Sequence, residues 1–181
     1  MTTNNLPKVE ENNVVVTPYD PQWPTLFKNE AKKVKEALGQ DVAIEHFGST
    51  AVPGLAAKPI VDILVGSKKA AAPSETQLKR LSALAYEYLG EDGRRPGRYF
   101  FRKRAPVSFN LSIVPFEGDL WRENLMVREY LRSHAEEVSK YTAIKLQGME
   151  ISPESLLGYQ DHKRVYMEEM KQRARQYFSN L

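Results

Sequence analysis

The chain has 181 residues, 41% of them hydrophobic and 27% charged, with a formal net charge of +3. That length gives one domain with a real core, or a domain with a helical extension, and the mild charge permits a polyanionic ligand without arguing for a nucleic-acid binder. With no cysteine there are no disulfides and no thiolate metal sites, which fits a reducing cytoplasm.

Residues 1–13, "MTTNNLPKVEENN", have no apolar core and read as a disordered tail, neither a signal peptide nor a membrane span. A single domain is expected over 14–181, and none of it approaches the roughly 20 apolar residues of a transmembrane helix. "VVVTPYDPQW" opens the domain as a short β-branched run ended by a proline-rich turn. Trp23, Phe27, Ala31, Val34 and Leu38 then step at helical intervals and predict an amphipathic helix ending near Gly39. Strands are predicted around 42–47 and 60–65. Ser74–Gln77 fits a capping box for a helix carrying Leu78, Leu81, Leu84 and Leu89.

Two further strands, 98–103 and 107–114, are joined by Ala105-Pro106. In the second, Val107, Phe109, Leu111 and Ile113 alternate with Ser108, Asn110 and Ser112, so one face is apolar and the other polar. From about Asp119 the chain reads as helical, and Ser152-Pro153-Glu154 is expected to start the last helix. The class is α+β, with the helices gathered in the C-terminal half.

The stretch "AIEHFGSTAVPGLAAKPIVDILVG", residues 43–66, carries the chemistry. Gly48 lets the backbone approach a ligand closely, and the amides and hydroxyls of Ser49 and Thr50 can face an anion. Asp62 stands inside an apolar strand, where an ionised carboxylate is costly unless paired or bound to a cation. Lys58 can reach either a phosphate or Asp62. The competing reading is a plain strand-loop-strand turn with Asp62 paired to lysine.

The block "EHFGSTAVPGLAAKPIVDILV" closely resembles the signature of the GrpB family, whose members have the nucleotidyltransferase fold. "VTPYDPQWPTLFKNE", "RYFFRK" and "MVREYLRSHAEEVSKYTAIK" extend the resemblance over roughly residues 14 to 178. It implies a mixed sheet holding a nucleoside triphosphate or other phosphorylated small molecule near Gly48-Ser49, with Mg²⁺ on Asp62. Working nucleotidyltransferases carry an Asp-x-Asp or Asp-x-Glu strand and a third carboxylate, which clamp two metals for in-line transfer. Here the second position is Leu64, and Asn110-Leu111-Ser112 stands where relatives tend to have His-x-His. Asp62 is therefore expected to bind Mg²⁺ weakly and in a nucleotide-dependent way, and to be the catalytic residue of any nucleotidyl or phosphoryl transfer. The alternative is a catalytically inactive domain that senses a nucleotide or binds a protein partner. Some relatives are fused to dephospho-CoA kinase, so that partner would belong to coenzyme A synthesis.

"RRPGRYFFRKR" packs six basic residues into eleven positions. Arg98, Phe100 and Arg102 share one strand face, and Arg98 or Arg102 is expected to line the pocket; the other reading is a charged edge strand. No second basic block accompanies it, so a nucleic-acid partner is not favoured. His46 either faces the pocket or is a hydrogen-bonded structural residue. Tyr141 and Lys145, one helical turn apart, either contact phosphate or form an exposed pair. Asn110 and Ser112 complete the polar candidates. His134 is placed at a helix junction, His162 on a polar helix face, and Trp121, Leu125 and Leu131 in the core. Oligomeric state is not legible.

Overall fold

In the computed structural model, which describes residues 15–69 and 72–180, the Trp23–Leu38 stripe forms helix α1, closed by Gly39. The expected tail, residues 1–13, lies outside the described residues. The β-branched opening is not a strand there: Thr17 makes an isolated antiparallel bridge with Ala57. Strand β1 (Val42–Phe47) leads into one 3₁₀ turn, Ser49–Ala51, and β2 (Ile60–Ser67) follows. Helix α2 (Glu75–Ala83) begins at Ser74 with both halves of the capping box formed. It ends at Leu84, and Leu89 belongs instead to an edge strand, β3 (Glu87–Glu91), that leucine spacing concealed. Then come β4 (Tyr99–Lys103), β5 (Ser108–Pro115), and helices α3 (Asp119–Ser133), α4 (Ala135–Ile151) and α5 (Leu156–Ser179). The last helix is capped by Ser155, whose side chain accepts from the Gly158 amide; Ser152 closes α4.

The strands form one sheet in the order β1-β2-β5-β4-β3. Among the described residues only β2 and β5 pair in parallel. Val61, Ile63 and Val65 with Phe109, Leu111 and Ile113 make the apolar face, which is buried under α1 and α2. Period-two alternation sends the intervening residues to the opposite face. There the register aligns Phe47, Asp62, Asn110, Arg102 and Glu87 in one row across all five strands. Part of this second face is closed by α3, where Trp121 packs with Leu64 and Val114. Gly66 makes that approach possible: a Cβ there would lie 2.7 Å from the Trp121 ring.

The loop after the 3₁₀ turn runs into the helical half, where Val52 and Leu55 pack with Tyr130, Leu131, Tyr141 and Met170. Arg132 of α3 donates twice to the Ala51 carbonyl, at 3.0 and 2.8 Å, and Arg128 donates to the His46 carbonyl at 2.7 Å. Two arginines thus fasten the helices to the end of β1. Among the described residues no helix is long and apolar enough to cross a membrane.

Candidate phosphate-binding site

Between the polar sheet face, the 3₁₀ turn and the last two helices lies a cavity of about 90 Å³. Its polar lining is Ser49, Thr50, Lys58, Asp62, Asn110, Lys145, Tyr159 and Lys163, drawn from five segments of the chain.

Asp62 is held from two sides. The Asn110 amide donates to its Oδ1 at 2.9 Å, and Asn110 Oδ1 accepts from Arg104 at 3.3 Å. Arg104 therefore fixes which end of the Asn110 amide meets the carboxylate. On the other side Gly48, at φ +71°, lies so close that a Cβ would fall 2.5 Å from Asp62 Oδ2. The close approach expected of this glycine exists, but it is made to Asp62. Burial raises the Asp62 pKa, and Asn110, Arg98, Lys58 and Lys163 oppose that rise.

The cations come from three segments. Lys145 of α4 is almost fully buried, donating to Ser49 Oγ and, at 2.7 Å, to the Ala56 carbonyl. Its ammonium sits 4.3 Å from the Tyr141 ring centre. Lys163 of α5 sits in the same relation to Tyr159, at 4.6 Å, and Lys58 lies 6.0 Å from that same ring. Tyrosine faces partly compensate ammonium groups taken out of water. They do not neutralise them, and among the described residues no carboxylate forms an ion pair with Lys145 or Lys163. Burial and mutual repulsion accordingly press the Lys145 pKa well below its ordinary value and bring Lys163 down to about 8. An anion entering here would relieve both.

The sequence candidates divide by strand alternation. Ser49, Thr50, Lys58, Asp62, Asn110 and Lys145 line the cavity, with Gly48 and Tyr141 directly behind it. His46 does not line it. It shares the face of Val42 and Ile44, stacks 4.7 Å from Phe27 of α1, and bonds Thr50 Oγ1 through Nε2 at 2.9 Å. Burial, then Arg132 and Arg128, lower its pKa to about 4. Neither Arg98 nor Arg102 lines the cavity. Arg98 donates to Ser112 Oγ at 2.9 Å and to Asp92 at 2.8 Å, and Arg102 is buried against Glu87, two strands from Asp62. Ser112 is thereby taken up by Arg98. Tyr141 and Lys145 are buried, not an exposed pair. Within the turn the Ala51 and Val52 amides bond back to the Gly48 and Ser49 carbonyls.

Sequence reading missed Tyr159, Lys163 and Arg104. A signal existed for the first two: Tyr159 and Lys163 repeat the four-residue spacing of Tyr141 and Lys145. His162, read as polar-faced, packs against Gly148 at the α4–α5 contact.

A resident Mg²⁺ does not fit this donor set. It needs several hard oxygen ligands. The cavity offers one carboxylate, its Oδ1 already accepting from Asn110, among three ammonium groups. Among the described residues no group of three His, Cys, Asp or Glu side chains could hold a metal.

Comparison with known proteins agrees with this architecture. The family model described as GrpB protein matches residues 13–173. The glutamate-rich protein GrpB of Alkalihalophilus pseudofirmus is 28% identical over 167 residues, 90% of this chain and 96% of that one. A UPF0157 protein of Streptomyces coelicolor is 32% identical, over 91% of this chain and 86% of that one. The crystal structure of the conserved protein GrpB from Enterococcus faecalis superposes with a TM-score of 0.79 at 30% identity, covering 91% of this chain and 99% of that one. The Cid1 poly(U) polymerase matches at a TM-score of 0.50 and 16% identity, over 72% of this chain and 42% of that one. That last likeness shows the fold, which is nucleotidyltransferase-like.

Proposed function

We propose that this chain, which belongs to the GrpB family, binds the phosphate end of a phosphorylated small molecule. A nucleotide is the class its nucleotidyltransferase-like fold favours. One observation carries the reading: Lys58, Lys145 and Lys163, from three segments, converge on a cavity with a single carboxylate and two hydroxyls, Ser49 and Thr50. An ammonium group as buried as that of Lys145, with no carboxylate paired to it among the described residues, is costly without a counter-charge. A phosphate would supply that charge and accept hydrogen bonds from all of them.

The closed position 64 favours binding over two-metal nucleotidyl transfer, because Leu64 is fully buried in the apolar contact with Val114 and Trp121. Among the described lining residues Asp62 is the one carboxylate, and it is our candidate proton acceptor for any transfer to a hydroxyl. A cytoplasmic setting would supply such ligands.

Thermal melts with nucleoside mono- and triphosphates, coenzyme A precursors and sugar phosphates test the reading. A ligand at a hundred times its Kd adds about 2.7 kcal/mol. In a domain of this size that raises the midpoint by roughly 5–10 °C. No shift with any phosphorylated compound would remove the reading.

A further inference from the structure

The fold's relation to nucleotidyltransferases and the cavity's donor set point in different directions, and the donor set is the more specific. We propose that the ligand is taken up free of metal, as a phosphomonoester dianion, with Lys58, Lys145 and Lys163 supplying the positive charge a divalent cation would otherwise bring. The inference rests on the phosphate reading above and narrows it.

Three observations support it together. The first is charge: three ammonium groups and one carboxylate line the cavity. With all of them ionised the lining carries two net positive charges, and a phosphomonoester carries between about −1.5 and −2 at neutral pH. The second is the state of Asp62. Its Oδ1 already accepts from Asn110, and it is the single carboxylate of the lining, so a divalent cation would find one negative side chain where it needs several hard oxygen ligands. The third is repulsion. A divalent cation beside Asp62 would face Lys58, Lys163 and Arg98, all of whose charges already act on that carboxylate. Adding a metal would place like charges in a small, partly dehydrated space, where they repel more strongly than in water.

The Ser49 hydroxyl fits the same picture. It accepts from Lys145 and meets the Tyr141 side chain, so the two residues of α4 hold it at the cavity wall where a phosphate oxygen would lie. The 90 Å³ cavity also places the lysines around one compact group instead of along an extended chain.

Calorimetric titration with AMP and ATP, each in EDTA and in excess Mg²⁺, decides the matter on the whole protein. AMP is expected to bind equally well in both conditions, and ATP to lose affinity when Mg²⁺ masks its phosphates. Asp62→Asn should hold AMP more tightly than wild type, because one repelling carboxylate is gone. A gain in ATP affinity of about tenfold or more on adding Mg²⁺, about 1.4 kcal/mol, would overturn the proposal and leave the phosphate reading standing. So would loss of AMP binding in a folded Asp62→Asn protein. Failure of both nucleotides, and of inorganic phosphate, to bind in either condition would overturn the inference and the phosphate reading together.

Discussion

Lys145 and Lys163 stand on different helices, each over the ring of a tyrosine four residues earlier, and both face one cavity. Neither pairs with a carboxylate among the described residues, so the folded protein holds two partly dehydrated cations that repel one another.

Replacing Lys145 by Met therefore separates binding from support. Burying Met in place of an unpaired cation gains apolar contact, while Ser49 Oγ and the Ala56 carbonyl lose a donor. We expect these effects to cancel to within about 1 kcal/mol in urea unfolding. Affinity for a phosphorylated ligand should fall by more than about tenfold. A loss of several kcal/mol in stability with binding unchanged would make Lys145 a strut between the turn and the loop.

Gly48→Ala should destabilise the fold. At φ +71° a Cβ is strained, and here it would also meet Asp62 Oδ2 at 2.5 Å. Strain and clash together should cost about 2–4 kcal/mol. In an Asp62→Ala background the Oδ2 clash is removed, leaving the backbone strain and a tight 3.2 Å contact with the Cβ at position 62. A double-mutant cycle by denaturant unfolding measures the difference, and strictly additive effects would mean the glycine and the aspartate do not interact.

The lysines also set a pH dependence. Unfolded, Lys163 keeps its proton to about 10.5; folded, it releases it at about 8. Between those values the unfolded chain binds more protons, so stability should rise with pH above about 8. Near pH 10 the buried tyrosines reverse the trend. Tyr159, raised to about 12, stays protonated in the fold after it ionises in the unfolded chain. Ligand affinity should move the opposite way, falling as pH rises through 8. On the acid side His46, lowered to about 4 from 6.5, withdraws stability as pH falls between those values. Unfolding curves from pH 4 to 10 on wild type and Lys163→Met should show the alkaline rise reduced in the variant, with the acid limb kept.

Much of this was legible in the sequence because local rules act on it directly. The α1 stripe, the Ser74–Gln77 capping box and the alternation along β5 each depend on near neighbours, and each formed as read. The β3 strand was hidden because Leu89 continued a leucine spacing past the point where α2 ends. The side to which His46 points depends on register across β1 and β2, and Phe27 on the far face claims its ring. Arg98 and Arg102 were misplaced for a similar reason: the strand face was right, but Asp92, Ser112 and Glu87 hold them away from the cavity. Lys163 reaches the cavity from a helix about a hundred residues after Asp62 in sequence, and only the packing of α5 brings it there.

A crystal structure of the protein grown with a phosphomonoester nucleotide would show directly where the phosphate is held. The phosphate should lie in the cavity within hydrogen-bonding reach of Ser49 and of the Lys58, Lys145 and Lys163 ammonium groups, with no metal between it and Asp62. A nucleotide bound elsewhere on the molecule, or a phosphate reached only through a metal on Asp62, would contradict it.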